Sequence, residues 1–276
     1  MQTGVPRMRL SSAFQTALGM LATNATLARR AIAGEWSPAS RPDLSESDLS
    51  CLERLLSAQG ERVLALAEMM TARRKHRVVA LLPVTTRIVD RRLDDWWSQY
   101  LGGTAVHGAS SSIADAVAFA AWTLRRLEPL SGNSELVRYE LCQSDVASRL
   151  LSRTTQTGTC DLTPELAEQR IRLSDCVRIE EFDRGVYDGI TRFRETAELT
   201  CREVGTSVHL LFHEAREGRG GVAITRVSRA IGLLLRAATS TLRISEMLSA
   251  AAPAQRPSLR GALERLIDLR VLDAFV

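Results

Sequence analysis

The sequence predicts a mainly α-helical protein: an all-helical domain over residues 1–160, followed by an α+β domain of winged helix-turn-helix type over residues 161–276. Three observations support this prediction. Apolar residues recur at helical spacing through roughly the first 155 positions. A polar stretch at 154–159 (TTQTGT) has the composition of an interdomain linker. Three short segments with strand patterns follow, and then three short helical patterns.

The N-terminal region is expected to contain five or six helices and no strand. Ser45 and Asp48 have the spacing of a capping box, in which each side chain satisfies a backbone N–H of the other. An apolar stripe at helical spacing follows: Leu49, Leu52, Leu56, Val63, Leu66 and Met70. Pro83 predicts a break, because proline disfavours helix at the residue before it. The double glycine at 102–103 predicts a stop, and serines at 110–112 and 131 predict further helix starts.

The C-terminal region predicts strands and helices in the order β-(α)-β-β-α-α-α. Residues 177–179 alternate like a half-buried strand, and a helical insert is expected over 185–204. In the next strand Val208, Leu210 and Phe212 should share one face, opposite His209, Leu211 and His213. A glycine-rich hairpin loop at 217–221 leads to a returning strand at 222–227. Helices are predicted over 230–238, 244–251 and 258–269.

Composition excludes several classes of protein. The chain has 276 residues, 36 basic and 32 acidic, for a net charge of +4. The charges are interspersed, which disfavours the basic tail of a nucleic-acid-binding protein. No apolar run approaches the roughly 18 residues of a membrane span. The sequence shows no secretory signal, and five cysteines without a CxxC pair indicate a reduced, cytoplasmic protein.

No catalytic or metal-binding motif is found. The sequence contains no GxGxxG, P-loop, GxSxG or HExxH pattern. His209 and His213 would lie about 13 Å apart along a strand, too far to share one ion. The acidic residues Glu180, Glu181 and Asp183 are better explained as a solvated face than as a metal site. We therefore expect a chain that is not catalytic alone and holds no cofactor.

The region from Val208 to Leu272 resembles a RiPP recognition element, a small winged domain that binds the leader of a ribosomally made precursor peptide. The resemblance lies in a hairpin, a leucine-rich helix, a second short helix and a final helix ending in LRVL. The segment after the first helix reads ATSTL, where many members of the family have a variant of DG-x-x-t. The resemblance implies that a peptide pairs with the returning strand and packs against the last helix.

The residues implied in peptide binding lie on that strand and on that helix. The strand contributes Val222, Ala223, Ile224, Thr225, Arg226 and Val227. The helix contributes Leu259, Leu263 and either Leu266 or Ile267 as inward residues. Arg226, Arg260 and Arg270 are expected to pair with acidic side chains of a leader.

The whole chain resembles the accessory subunits that pair with multinuclear iron oxygenases modifying peptide cysteines, as in methanobactin and thiaglutamate biosynthesis. In the helical half the resemblance lies in LSESDL at 44–49, MTARR at 70–74, LP at 82–83, WWSQY at 96–100 and ELVRYE at 135–140. It implies a heterodimer whose iron belongs to the partner. Trp96, Trp97 and Tyr100 are the expected partner-binding residues, with one tryptophan in the core and the other exposed as an anchor.

Two rival functions use the same sequence features. A winged helix-turn-helix regulator would read DNA with the last helix, although that helix offers only Ser258 and Arg260 near its start. A stand-alone enzyme is the least favoured class, because no catalytic constellation is present. Nucleic acid and membrane are therefore not the expected partners.

Overall fold

The computed structural model describes residues 11–35, 43–103, 111–129, 131–153, 169–201, 204–215, 221–238 and 241–275. Within them the chain is mainly helical, with two small antiparallel sheets. It divides into two compact units, Met1–Trp122 and Thr123–Val276. The sequence predicted the division at residue 160. The predicted linker at 154–159 and most of the predicted hairpin loop at 217–221 lie outside the described residues.

The first unit is built of helices, and its described residues contain no strand. The helices are α1 (Ser12–Thr23), α2 (Ala25–Ile32), α3 (Glu46–Leu81), α4 (Pro83–Val89), α5 (Leu93–Gly103) and α6 (Ser112–Leu124), with a 3₁₀ turn at Asp90–Arg92. The predicted capping box is confirmed, since the Ser45 and Asp48 side chains each accept a hydrogen bond from the other residue's backbone N–H. The predicted break at Pro83 is also confirmed, because α4 begins there.

Helices α1 and α2 pack along α3 around a core of Phe14, Leu21 and Leu52. Gly60, Ala67 and Val78 are also buried on α3, whereas the opposite side of the helix is exposed.

A buried ion pair crosslinks the same unit. The Arg74 guanidinium makes two hydrogen bonds to the Asp115 carboxylate, of 2.7 and 2.8 Å, and donates a third to the carbonyl oxygen of Thr23. Both side chains are largely removed from solvent, so each buried charge is stabilised by the opposite charge of its partner.

The second unit combines helices with both sheets. Its helices are α7 (Gly132–Ser152), α8 (Arg184–Thr196), α9 (Arg229–Ala237), α10 (Ile244–Ala250) and α11 (Arg256–Asp268), with a 3₁₀ turn at Pro253–Gln255. Its strands are β1 (Arg170–Leu173), β2 (Arg178–Asp183), β3 (Ser207–Glu214), β4 (Val222–Val227), β5 (Leu242–Arg243) and β6 (Leu272–Phe275).

The sequence placed α7 in the helical domain. Its apolar face instead packs on β3, where Tyr139 lies 5.3 Å from Phe212.

The first sheet has the strand order β2-β3-β4, and both pairings are antiparallel. The predicted alternation along β3 is confirmed. Phe212 lies on the face that packs against Tyr139 of α7. Leu211 lies on the other face and shares a core with Leu235 of α9. The sheet is therefore covered by helices on both faces, which explains why β3 is buried along most of its length.

The second sheet, in the order β5-β1-β6, was not predicted from the sequence. Strand β1 pairs with β6 in full register, from Arg170 opposite Phe275 to Leu173 opposite Leu272. These partners lie about a hundred positions apart along the chain, and no local pattern indicates such a pairing. Helix α11 packs mainly on β6 and α10, so this sheet positions the last helix of the chain.

Candidate functional site

Strand β4 forms one edge of the first sheet. Among the described residues it pairs with β3 alone, in six register pairs from Val222 opposite Glu214 to Val227 opposite His209. Thr225 and Arg226 are exposed, and the other four residues are half-buried. In an antiparallel pair, alternate residues turn their N–H and C=O groups away from the partner strand. The outer side of β4 therefore offers backbone donors and acceptors for about three residues.

A buried histidine ties β4 to β3. The Nε2 atom of His213 lies 3.0 Å from the Thr225 hydroxyl, and its Nδ1 lies 2.9 Å from the carbonyl oxygen of Glu214. A carbonyl can only accept, so Nδ1 carries the proton and the Thr225 hydroxyl donates to Nε2. Burial lowers the pKa of His213, although its bond to the Glu214 carbonyl acts in the opposite direction. A neutral imidazole thus fixes the middle of the edge strand.

Arg226 supplies an exposed positive charge at this edge. It lies opposite Leu210 in the β3–β4 register and forms no ion pair with any described residue. Arg260 of α11 and Arg270, which follows α11, are also exposed and without an ion pair among the described residues. Arg270 has a left-handed backbone with φ of 56° at the end of the helix. All three predicted arginines are therefore accessible to an acidic ligand.

The predicted residues of the last helix are only partly accessible. Leu263 is fully buried and Leu266 is nearly so, both in a core with Ile171 and Leu235. Leu259 and Ile267 are half-buried at the margin of that core. The prediction that Leu263 contacts the peptide is wrong, because a side chain without exposed surface cannot contact a ligand.

Strand β4 and helix α11 differ in their main packing partners. Strand β4 packs mainly on β3 and α7, whereas α11 packs mainly on β6 and α10. Val227 of β4 and Leu259 of α11 nevertheless border the same hydrophobic core. The two predicted halves of the peptide site therefore lie on one domain and border one core, although each packs mainly on other elements.

The prediction that one tryptophan of α5 is an exposed anchor is wrong. Trp96 and Trp97 are 8% and 3% exposed, and Tyr100 is also buried. Trp96 makes an edge-to-face contact with Trp122 at 5.8 Å, and Trp97 makes one with Phe119 at 5.3 Å. Adjacent residues on a helix point about 100° apart, but both directions are filled here by aromatic partners. These residues form a core.

The acidic residues around β2 are held in structural contacts. Arg138 forms an ion pair with Glu180 at 3.0 Å and donates to the carbonyl oxygen of Glu181 at 2.6 Å. Asp183 accepts hydrogen bonds from the N–H groups of Gly185, Val204 and Gly205. Burial would raise the pKa of Asp183, but these three bonds lower it. Within the described ranges, no three His, Cys, Asp or Glu side chains are placed to hold a metal ion.

The buried thiols are poor nucleophiles. Burial raises the pKa of Cys142 to about 12, and it also raises the pKa of Cys176. Because the thiolate is the reactive form, both side chains stay protonated and inert near neutral pH.

None of the helices in the described ranges has the length and apolarity to cross a membrane.

Two cavities in the second unit were not anticipated from the sequence. One of about 490 Å³ is lined by Glu135, Arg138 and Asp183 among others, and these side chains are occupied by the contacts described above. The other, of about 680 Å³, has Arg149, Arg153 and Arg172 in its wall. No residue of β4 lines either of these two cavities, so the candidate peptide site on the edge strand is separate from both.

No protein-family model matches the chain, and no curated protein is significantly similar to it in sequence. A functional proposal therefore depends on the geometry of the chain's own residues.

Proposed function

We propose that this chain is a non-catalytic peptide-binding subunit, in which the outer edge of β4 takes up an extended peptide as an additional strand. The observation that carries the proposal is that β4 pairs on one side only, among the described residues, while exposing Thr225 and Arg226. An unpaired strand edge is a ready template for main-chain hydrogen bonding. Backbone pairing gives affinity, and neighbouring side chains then give specificity.

The other edge of the same sheet is less suited to this role. On β2, Arg138 already donates a hydrogen bond to the carbonyl oxygen of Glu181. The Arg138 guanidinium also stacks 4.1 Å from the ring of Phe182. A peptide added at β2 would have to displace these contacts, whereas no comparable contact of a guanidinium with the β4 backbone is found in the described residues. The proposal therefore assigns the peptide to β4.

Rigidity of the edge supports the same assignment. The His213–Thr225 hydrogen bond and the six register pairs hold β4 in an extended conformation before any ligand arrives. A preorganised strand loses little conformational entropy on binding, so more of the interaction energy contributes to affinity. The exposed Arg226 would favour a peptide with an acidic side chain near the Val227 end of the pairing.

The arrangement of elements is consistent with a winged helix-turn-helix domain of the RiPP recognition type. Strands β2, β3 and β4 form an antiparallel sheet and are followed by three helices, α9, α10 and α11. The β3–β4 hairpin and the three helices after it are the elements on which the resemblance rests. If the domain is a RiPP recognition element, the peptide is the leader of a ribosomally synthesised precursor.

We further propose that the bound precursor is presented to a separate multinuclear iron oxygenase, which forms a heterodimer with this chain in the cytoplasm. Holding peptide and catalyst in one complex raises their effective concentration and restricts their relative orientation. The iron and the oxidation chemistry would belong to the partner. The contribution of this chain would be binding and positioning.

A DNA-binding role is less well supported by the contacts of α11. At the start of that helix Arg256 directs its guanidinium back onto the carbonyl oxygens of Ala251 and Ser249. Two of its N–H groups are therefore engaged within the domain, which leaves Ser258 and Arg260 as the exposed base-reading candidates beside it in the first turns. Recognition helices usually present several such side chains.

Fluorescence anisotropy tests the proposal, with a labelled leader from any precursor-peptide gene found next to the gene for this chain. Ile224→Pro removes a backbone N–H and should abolish binding, while Arg226→Glu should weaken it more at low salt than at high salt. Arg192→Glu, an exposed charge reversal on α8, is the matched control. Unchanged affinity in a folded Ile224→Pro variant would place the peptide elsewhere. Affinity for duplex DNA that falls steeply with rising salt and depends on Arg260 would instead favour the DNA-binding regulator.

A further inference from the structure

Helix α3 carries an exposed stripe on the side opposite its packed face. Gly60, Ala67 and Val78 are buried on one side of this helix. Since successive residues are about 100° apart around a helix, the residues that point the opposite way recur at three- and four-residue steps. They are Arg62, Leu66, Met69, Arg73, His76 and Ala80, and all six are exposed.

The stripe has an apolar centre. Leu66 is 44% exposed and Met69 is 60% exposed, which makes Met69 the most exposed large apolar side chain on α3. The two residues are three positions apart and so are neighbours on the helix surface. Helices α1 and α2 cover the other side of α3, so these two neighbouring side chains form a small exposed apolar patch of the kind found at interaction surfaces.

Positive charge bounds the apolar centre at both ends. Arg62 lies about one turn before Leu66, and Arg73 lies about one turn after Met69. Neither arginine forms an ion pair with a described residue. Glu68, which directly precedes Met69, points about 100° away from it around the helix and is paired with Arg29 at 2.5 Å. The six residues of the stripe include no carboxylate.

We propose that this stripe, referred to as the α3 stripe, is the docking surface for an acidic amphipathic helix of a partner protein. Such a helix would place two apolar residues against Leu66 and Met69 and a carboxylate near each arginine. The two arginines are separated by eleven positions, or about 16 Å along the axis, a span that three turns of a partner helix would cover. Arginine pairs well with carboxylates because its planar guanidinium can donate two hydrogen bonds to one group.

A lipid surface fits the α3 stripe less well. Helices that lie in a membrane interface separate a wide apolar face from a charged face. Here the large apolar side chains of the stripe are Leu66 and Met69 alone, and Arg62 and Arg73 bound them at both ends almost in line. A row in which charged side chains flank apolar ones is better complemented by another protein helix than by a bilayer.

The inference depends on α3 alone and holds whether or not the β4 edge binds a peptide. It gives the helical unit a docking surface that the buried Trp96 and Trp97 cannot provide. A failure at β4 and a failure at α3 are therefore distinguishable, because each is tested with its own variants and its own probe.

The experiment uses the full chain and a synthetic helical peptide with two leucines one turn apart and glutamates one turn beyond each. Fluorescence anisotropy should show saturable binding that weakens by roughly tenfold in Arg62→Glu/Arg73→Glu, since two exposed ion pairs are replaced by repulsion. Leu66→Ser/Met69→Ser should also weaken binding. The control Arg87→Glu/Arg91→Glu makes the same charge change at two exposed positions of the same unit and should bind as the parent does.

Two outcomes of the peptide measurement would overturn the proposal, and a third would come from vesicles. One is binding that both double charge reversals weaken equally, which would indicate general attraction by net charge. The other is no preference for the acidic peptide over the same peptide with lysines in place of the glutamates. Vesicles of phosphatidylserine and phosphatidylcholine are the parallel probe, and binding to them that requires Leu66 and Met69 would assign the surface to a membrane instead.

Discussion

The imidazole of His213, buried on β3, forms a hydrogen bond of 3.0 Å with the hydroxyl of Thr225, which stands on the exposed edge strand β4. The second ring nitrogen is held by the carbonyl oxygen of Glu214. This arrangement accommodates a neutral ring and joins the interior of the sheet to the surface proposed to bind a peptide. The protonation state of His213 therefore affects how firmly the edge strand β4 is held.

Stability should fall as pH decreases through the range in which His213 titrates. Burial lowers its pKa in the folded chain, so the unfolded chain binds the proton more readily. The stabilising contribution is then fully present above the unfolded pKa of about 6.5 and is lost as pH falls from there towards the lowered folded value. Urea denaturation between pH 7.5 and pH 5 should show this loss. His213→Gln should reduce the pH dependence, and an identical dependence in that variant would contradict the assignment.

Gly232 should not tolerate a side chain. A Cβ built at residue 232 would come within 2.7 Å of the His209 ring carbon Cγ, so α9 could not keep its present distance from β3. Replacing a helical glycine by alanine normally stabilises by up to about 1 kcal/mol. Gly232→Ala should instead destabilise by about 1 to 3 kcal/mol because of overpacking.

A second glycine provides the control for that substitution. Gly261 lies inside α11, and a Cβ there would meet nothing within 4 Å. Gly261→Ala should therefore stabilise by up to about 1 kcal/mol. Denaturation midpoints of both variants test the packing of α9 on β3, and equal stabilisation by the two alanines would show that the packing is looser than described.

Trp97 should behave as a core residue. It is 3% exposed and contacts Phe119 and Tyr100 at centroid distances of 5.3 Å. Trp97→Ala should cost about 3 to 5 kcal/mol of folding free energy, with loss of partner binding only as a consequence of unfolding. A variant that keeps its thermal midpoint but loses a partner would restore the anchor role that the sequence suggested.

The residues that the sequence placed correctly are those governed by local rules. The Ser45–Asp48 capping box, the helix start at Pro83, the alternating faces of β3 and the bounds of β4 each depend on a few neighbouring residues. The alternation of Arg170, Ile171, Arg172 and Leu173 is a local signal for β1, but its partner β6 lies at the other end of the unit.

The errors concern tertiary partners. The exposure of Trp96 and Trp97 depends on whether α6 supplies aromatic rings to both, and Phe119 and Trp122 do so. The placement of α7 depends on the fit of Tyr139 against Phe212. Leu263 has the same spacing as a ligand-facing leucine but is fully buried in a core around the unpredicted second sheet. Periodicity identifies an apolar face and does not identify what covers it.

Amide hydrogen exchange of the full chain, with and without the leader peptide, tests the central claim most directly. An added strand should slow exchange of the outward amides of β4, Val222–Val227, because they gain hydrogen-bond partners. Amides of β2, Arg178–Asp183, at the opposite edge of the same sheet are the internal control and should exchange at an unchanged rate. Protection confined to β4 and its neighbours is the predicted result. Saturating peptide that protects β2 or α11 while β4 exchanges as before would contradict the account.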